Sequence, residues 1–200
     1  MDIKATELNT QSMYRLLVGG VTPRPIAWIS TLSADGVQNL APYSFFSVAS
    51  VNPPVLSFTQ VTPQTGKDKD TLRNIIATQE CVVNIVTSEQ LEVMNATCAN
   101  LDSDVSEFVS VGVEHQPSYS VAPWSVTKAP VRYECRLREV IRITEKPGGG
   151  CLVLLDVIHV VVDDRLIEGG QIDQSLLDSV GKMGGDYYCS TDHLRALKRP

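Results

Sequence analysis

Two long segments, 131–145 and 151–163, are joined by Pro147-Gly-Gly-Gly150, and this pair constrains the fold more than any other feature of the chain. The second segment is apolar on both faces, which indicates a central strand or one that meets another subunit. A period of two residues in the first segment predicts one buried and one solvated face, with Val131, Tyr133, Cys135 and Leu137 alternating with Arg132, Glu134, Arg136 and Arg138. The pair therefore predicts a fold based on antiparallel strands.

Strand-like runs predominate in the rest of the chain as well. They cover 25–32, 37–47, 54–60 and 81–87, whereas helical spacing of apolar residues is found at 71–79 and, after a Ser88 cap, at 88–99. Many strands with short helices between them predict a mainly β, closed antiparallel barrel. Because the sequence contains no linker, repeat or low-complexity tract, we expect residues 1–200 to form one domain.

The composition argues against several classes of protein. A net charge of −6 disfavours nucleic acid as a partner, since phosphate contacts need a basic face. No apolar run approaches the roughly 20 residues of a membrane span, and 1–7 lacks the basic start and apolar core of a signal peptide. The five cysteines are Cys81, Cys98, Cys135, Cys151 and Cys189. Their odd number and the lack of a Cys-x-x-Cys spacing favour reduced, buried thiols and a cytoplasmic location.

The stretch 22–46 has the pattern of a hairpin that cradles a ligand. A turn at Ala34-Asp-Gly36 reverses the chain, so that Ser30 and Thr31 end one strand beside the returning Asn39 and Ser44. These neutral hydrogen-bonding groups lie next to the aromatic residues Tyr43, Phe45 and Phe46. Such a combination suits a flat ring with polar edges better than a metal ion or a peptide. An ordinary hairpin with a rim of hydroxyl side chains is the alternative.

The segment 67–74 places positive charge and a hydroxyl group at the start of a predicted helix. Free backbone N–H groups and the helix dipole favour an anion at this position. Asp70 is predicted to cap the helix, Thr71 to donate its hydroxyl, and Lys69 to supply the charge that a phosphate prefers. Lys67 is the alternative for this charge, and the Lys-Asp-Thr register favours Lys69. A solvated, charged loop is the alternative. A ring pocket combined with a phosphate anchor, both without metal ligands, indicates a mononucleotide cofactor.

Other kinds of chemistry find little support in the sequence. His115, His159 and His193 are widely separated and predict no metal site. Neither a Gly-x-Ser-x-Gly elbow nor a phosphate-binding loop of the P-loop type is present, and 148–150 lacks the spacing of a dinucleotide loop. His159 lies in a strongly predicted strand, where a structural imidazole is the alternative to a functional one.

Several short motifs occur in an order and spacing that resemble the flavin reductase-like family with the FMN-binding split-barrel fold. They are Arg24-Pro25 before Ile29-Ser-Thr31, Asn39-Leu-Ala-Pro-Tyr-Ser-Phe-Phe46, Asn52-Pro-Pro-Val-Leu56, Lys69-Asp-Thr-Leu-Arg-Asn-Ile75, Ala129-Pro130 before Tyr133-Glu-Cys135, Asp156-Val-Ile-His159, and Gly181-Lys-Met-Gly-Gly185 before Tyr187-Tyr188. The resemblance implies an antiparallel split β-barrel with a few short helices, and FMN, or alternatively FAD, as the cofactor.

The resemblance also implies roles for particular residues. It assigns the ribityl phosphate to Arg24, Ser30, Thr31, Lys69 and Thr71, and the isoalloxazine ring to Asn39, Ala41, Ser44 and Phe45. Asp70, Met183 and Gly184 complete the predicted cofactor-binding set, and His159 is the candidate catalytic residue, facing the flavin or the nicotinamide.

The implied activity is that of an NAD(P)H:flavin reductase, with NADH or NADPH as the electron donor and a monooxygenase or another redox protein as the acceptor. Split barrels of this kind place the flavin at a subunit interface, so we expect a homodimer. Two alternatives stay open at this point. One is a flavoredoxin-like FMN electron carrier without direct nicotinamide use, and the other is a non-enzymatic barrel that binds another ligand.

Overall fold

The computed structural model of the chain describes residues 2–198. The helices are α1 Thr10–Gly20, α2 Asp70–Thr78, α3 Leu91–Ala96, α4 Glu107–Val111 and α5 Gln174–Leu177, and short 3-10 turns lie at Ala5–Glu7, Ser88–Gln90 and Asp164–Leu166. The strands are β1 Arg24–Pro25, β2 Ala27–Leu32, β3 Gln38–Tyr43, β4 Phe46–Val51, β5 Pro54–Val61, β6 Glu80–Ile85, β7 His115–Gln116, β8 Ser125–Val126, β9 Val131–Arg142, β10 Gly150–Val162, β11 Ile167–Glu168, β12 Gln171–Ile172, β13 Val180–Lys182 and β14 Tyr188–Ser190. The predicted mainly β architecture is confirmed.

Seven strands form an antiparallel sheet in the order β3-β2-β6-β9-β10-β5-β4. The strands at its two ends, β3 and β4, are consecutive in the chain, so the connection between them joins the edges of the sheet. Across this junction the Phe45 carbonyl accepts a hydrogen bond of 2.8 Å from the Thr59 amide. The rings of Tyr43 and Phe58 also pack with centroids 4.8 Å apart. The sheet therefore closes into a barrel, which removes its free edges at this side.

Two apolar clusters hold the barrel, and β2 contributes to both because its two faces are buried. Ala27 and Ile29 pack inside the barrel with Phe58 and with Leu72 of α2. Trp28, from the opposite face, packs against residues of α3, α4 and β8 and donates a 3.0 Å hydrogen bond from Nε1 to Thr97. The strand therefore anchors the start of the predicted cradle rigidly on both sides.

The prediction of a solvated face on β9 is wrong for the first half of that strand. Arg132 and Glu134 are buried, because the segment 115–126 folds over them. Glu134 is completely enclosed, and its carboxylate accepts hydrogen bonds from the backbone amides of Tyr119 and Ser120 at 2.8 and 2.5 Å. The second half of the strand is solvated as predicted, and Arg138 there pairs with Asp156 at 2.7 Å.

Element boundaries differ from the predictions in two places. The predicted strand 37–47 is two strands, β3 and β4, separated by a turn at Ser44 and Phe45. The predicted helix 88–99 is a 3-10 turn followed by the short α3, and Thr87, not Ser88, caps it through a reciprocal capping box with Gln90. The helix predicted at 71–79 is confirmed as α2.

The long strand β10 is apolar on both faces, as the sequence indicated, but only one face lies in the core. Its pairing with β5 ends at Asp156, so the stretch 157–162 pairs with β9 alone. Ile158 and Val160 in this stretch are 40% and 51% exposed. The end of β10 therefore presents a free backbone edge next to exposed apolar side chains.

The cysteines are all free, although they are not all buried. Cys98 is exposed and Cys189 is half-buried, which departs from the expectation of buried thiols, whereas the other three lie in the core. Among residues 2–198, no helix is both long and apolar enough to cross a membrane.

Candidate functional site

A cleft with a volume of about 1190 Å³ lies between α1, the end of β5 and the turn that follows β3. Of the described residues on its wall, Lys69 is the one that carries a charge; the others are Ala5, Leu8, Asn9, Thr10, Gln11, Met13, Tyr14, Leu17, Phe45, Val61, Thr62, Pro63, Gln64, Pro147 and Gly148. A wall that combines apolar side chains with neutral hydrogen-bonding groups and a single charge is typical of a small-molecule site. It brings Phe45 and Lys69, both predicted from the sequence, to one cavity.

Phe45 is held in the cleft by the buried Arg24. The Arg24 guanidinium lies 5.8 Å from the centroid of the Phe45 ring, and its Nε donates a 3.4 Å hydrogen bond to Ser44 Oγ. These two contacts of Arg24 hold the turn at Ser44 and Phe45, which separates β3 from β4. A cation over an aromatic face contributes about 0.5 to 2 kcal/mol, depending on its exposure.

The remaining donors of Arg24 join three segments of the chain. Nη1 donates to the carbonyls of Val18 and Val21 at 2.6 and 2.8 Å, and Nη2 donates to the carbonyl of Met183 at 3.0 Å. A Cβ atom on Gly184 would lie 3.3 Å from the Cα of Gly19, which shows how closely this backbone approaches the end of α1. The structure therefore brings Arg24, Ser44, Phe45, Met183 and Gly184 together.

Lys69 immediately precedes α2 and occupies its N-cap position. Asp70 is the first residue of the helix and pairs with Arg73, so the predicted side-chain cap by Asp70 is wrong. No side chain caps this helix start, which leaves backbone N–H groups of the first turn available to an anion. Within 2–198, Lys69 itself takes part in no ion pair.

A second group of predicted residues forms a buried hydrogen-bond network behind the cleft. Asn39 Oδ1 accepts from the hydroxyls of Thr71 and Thr31 at 3.0 and 3.3 Å, and Asn74 donates to Thr31 at 3.1 Å. The Asn39 amide donates to both carboxylate oxygens of Glu107, at 2.9 and 2.8 Å. These side chains satisfy one another, and they support the site from inside the barrel.

The other predicted residues lie elsewhere. Ser30 is fully buried on the opposite face of β2, where its hydroxyl donates to the Trp124 carbonyl at 2.5 Å. Ala41 is half-buried and packs against the barrel core. The Tyr43 hydroxyl is enclosed without a hydrogen-bond partner, and burial raises the pKa of this phenol far above its ordinary value.

His159 lies on the far part of β10, nine residues after Gly150, which corresponds to about 30 Å along the strand. Its ring stacks on that of Tyr119 with centroids 5.2 Å apart, and Nδ1 is 3.4 Å from the Ser120 hydroxyl. The cleft lies near the opposite end of the strand, beside Gly148. The structure therefore does not bring His159 to the cleft of the same chain.

Sequence reasoning missed one wall of the cleft and one neighbour of Arg24. Helix α1 forms one wall of the cleft, but its apolar residues Tyr14 and Leu17 are exposed and lack the pattern of a core helix. Lys182 pairs directly with Arg24 across β1 and β13, and its position within Gly181-Lys-Met-Gly-Gly185 was the available signal. Burial lowers the pKa of Lys182.

The donor set fits a phosphorylated ring compound such as FMN. The cleft offers an aromatic side chain for a ring, a lysine and an uncapped helix start for a phosphate, and no carboxylate that would repel it among the described residues of its wall. Within 2–198, no cluster of three or more metal-ligating side chains of the His, Cys, Asp and Glu types is present.

Comparisons with known proteins point in the same direction. The chain is similar to nitrilotriacetate monooxygenase component B from Bacillus cereus, with 31% identity, a TM-score of 0.93 and 98% of each chain covered. It is also similar to 2-nitrobenzoate 2-nitroreductase from Pseudomonas fluorescens, with 29% identity, a TM-score of 0.90, and 100% of this chain and 96% of the other covered. A protein with a split barrel domain from Shewanella frigidimarina shares the fold, at 24% identity and a TM-score of 0.86, with 100% of each chain covered.

The profile of one protein family matches most of the chain. It is described as the flavin reductase like domain, and the match extends over residues 19–182, which include Arg24, Phe45, Lys69 and Lys182. The match covers more than half of the chain and therefore shows its family. The chain belongs to the flavin reductase like domain family.

Proposed function

We propose that this protein is an FMN-binding oxidoreductase that uses NADH or NADPH to reduce flavin and passes the electrons to a monooxygenase or another redox acceptor. The observation that carries the proposal is the cleft whose wall combines Phe45 with Lys69 beside the uncapped start of α2. Membership of the flavin reductase like domain family supports flavin as the ligand. Similarity to a monooxygenase component B supports an external acceptor.

The chemistry that bound FMN supplies is the acceptance of a hydride and the release of its electrons. The protein itself has to bind the flavin, orient it and shield it from water. Lys69 and the N–H groups of the first turn of α2 would hold the phosphate, and Phe45 would present its ring to the flavin. Arg24 keeps Phe45 in place, and α1 forms one wall of the cleft.

The cleft contains few groups for acid–base chemistry. Among the described residues of its wall there is no histidine, cysteine or carboxylate. Hydride transfer needs close approach and orientation, about 3 to 3.5 Å between the reacting atoms, and requires no nucleophile from the protein. This composition favours a reductase over a hydrolase.

The first test is FMN binding by wild type and by two matched lysine variants. Lys69→Ala should weaken FMN by about 1 to 3 kcal/mol through loss of a charge-assisted phosphate contact, and riboflavin binding should change little. Lys67→Ala is the control, because Lys67 is exposed and does not line the cleft. Fluorescence titration provides both affinities. Absence of saturable FMN binding by the wild type would refute the proposal.

The second test separates a reductase from an electron carrier. Stopped-flow mixing of FMN-loaded protein with NADH or NADPH should bleach the flavin absorbance and regenerate oxidised nicotinamide. Protein that holds FMN but is reduced by neither nicotinamide would favour the flavoredoxin-like alternative. Protein that binds no flavin at all would favour the non-enzymatic alternative.

We also propose a homodimer and a reducing compartment such as the cytoplasm. The free edge at 157–162 and the exposed Ile158 and Val160 form a surface that a second copy would cover. Five free cysteines are compatible with reducing conditions. Light scattering at micromolar concentration tests the dimer, and a monomer mass would contradict it.

A further inference from the structure

A pocket with a volume of about 410 Å³ lies between the β1–β13 pair and one end of the barrel. Its walls come from β1, the end of β6, the start of β9 and the segment 172–181, and we call it the β1–β13 pocket. Among residues 2–198, none lines both this pocket and the cleft that contains Phe45 and Lys69. The free edge at 157–162 does not line it either. Its volume falls within the roughly 300 to 1,000 Å³ of small-molecule sites, so it is a separate candidate for a ligand.

Paired strands form the apolar part of the β1–β13 pocket. Ile26, Val86 and Val180 on its wall are at most 5% exposed. Strand β13 pairs with β1, and β9 pairs with β6 and β10, so the backbone behind the wall is fixed. The approach of β13 to β1 is close, since a Cβ atom at Gly181 would lie 2.8 Å from the Cβ of Pro23. The pocket is therefore pre-formed and apolar, which favours the burial of an apolar part of a ligand.

Arg24 carries the one charge among the described residues of this wall. Its guanidinium donates to the Ser44 hydroxyl and to the carbonyls of Val18, Val21 and Met183. None of these four acceptors belongs to a residue that lines the pocket. The charge is thus engaged outside the pocket, and an ionic ligand would be buried there without a partner, which is strongly unfavourable. The pocket suits a neutral molecule.

The polar groups on the wall differ in whether they already have partners. The Ser179 and Thr191 hydroxyls lie 3.2 Å apart, and Thr191 donates to the Ser179 carbonyl at 2.9 Å. The exposed Gln174 amide donates to the Ile172 carbonyl at 3.2 Å. Tyr133 is half-buried, and its hydroxyl has no hydrogen-bond partner within 2–198. Burial raises the pKa of this phenol, so at neutral pH it keeps its proton and has a hydrogen bond to donate.

We propose that the β1–β13 pocket binds a neutral aromatic molecule with one hydrogen-bond acceptor, which takes the bond from the Tyr133 hydroxyl. The apolar wall buries the ring of the ligand, and the Tyr133 ring offers it an aromatic neighbour, a contact favoured beyond the area that it buries. The single free donor fixes the orientation of the ligand. This site is additional to the flavin site, and its ligand does not depend on the proposed function.

The test is a titration of ¹⁵N-labelled protein with acetophenone and with α-methylstyrene, which has nearly the same shape but no acceptor. Amide resonances of the wall, Gly181 among them, should shift saturably with both compounds. Acetophenone should bind about 3- to 10-fold more tightly, because it accepts one hydrogen bond. Tyr133→Phe should abolish this preference and leave the affinity for α-methylstyrene unchanged. No saturable shift with either compound, or an equal preference in wild type and Tyr133→Phe, would overturn the proposal.

Two adjacent leucines provide a matched test of the location. Leu177 lines the pocket, whereas Leu176 is 57% exposed and does not. Leu177→Trp should fill the pocket and weaken both compounds about 10-fold or more, and Leu176→Trp should leave both affinities unchanged. Wild-type affinity in a folded Leu177→Trp variant would overturn the proposal. If that variant fails to fold, the comparison with Tyr133→Phe decides.

A titration in the presence of FMN separates this site from the cleft. Saturating FMN should not displace acetophenone, because the two sites share no described lining residue. Displacement by FMN would assign the aromatic compound to the cleft and overturn the proposal. A protein that binds acetophenone in a Tyr133-dependent manner but binds no FMN would refute the flavin function and support the β1–β13 pocket.

Discussion

The substitution Asn39→Ala tests whether the buried network behind the cleft is structural. Asn39 accepts hydrogen bonds from Thr31 and Thr71 and donates to both oxygens of the Glu107 carboxylate. After the substitution, Glu107 would retain only the bond from the Leu40 amide, at 2.9 Å, in a site where the side chain is 7% exposed. Asn39 therefore connects β2, β3, α2 and α4.

The expected loss of stability is about 3 to 5 kcal/mol, because a buried carboxylate and two buried hydroxyls lose partners together. With a urea m-value near 2 kcal/mol/M, the unfolding midpoint should fall by about 1.5 to 2.5 M. The fluorescence of the fully buried Trp28 reports unfolding. All variants should be compared at one protein concentration, since a dimer couples stability to concentration.

Two controls sharpen this test. Asn100→Ala removes an exposed amide and should change stability by less than about 0.5 kcal/mol. The double variant Asn39→Ala with Glu107→Ala should cost less than the sum of the single changes, because it leaves no unpaired carboxylate. A loss below about 1 kcal/mol for Asn39→Ala, or weaker FMN binding at unchanged stability, would refute the reasoning and return Asn39 to the cofactor-binding set.

Two other substitutions test residues outside the cleft. Glu134→Leu should destabilise the fold by about 2 to 4 kcal/mol in urea unfolding, because it leaves the amides of Tyr119 and Ser120 without their acceptor, and an unchanged midpoint would contradict that role. His159→Ala should lower the free energy of unfolding by about 0.5 to 1.5 kcal/mol, because the stack on Tyr119 is lost, and should leave FMN affinity unchanged. A reduced rate of flavin reduction at full stability would instead assign the imidazole to catalysis.

A large part of the fold and the position of Lys69 follow from local sequence patterns. Alternation over 131–145 and the continuous apolar run over 151–163 predicted the central hairpin, and the spacing of Leu72 and Ile75 predicted α2. Lys69 was predicted from its place before that helix, and the structure leaves it exposed in the cleft. These features depend on backbone periodicity and on the ends of helices, which a few neighbouring residues determine.

The tertiary structure alone decided which polar residues face the cleft and which face the interior. Thr31, Asn39 and Thr71 have the same chemistry as ligand-binding residues, yet closure of the barrel directs them toward one another and toward Glu107, which is 68 positions from Asn39 in the chain. Arg24 and Lys182 become partners only when β13 pairs with β1. Such contacts join segments distant in sequence, so no local pattern encodes them, and they exist only once the chain has closed on itself.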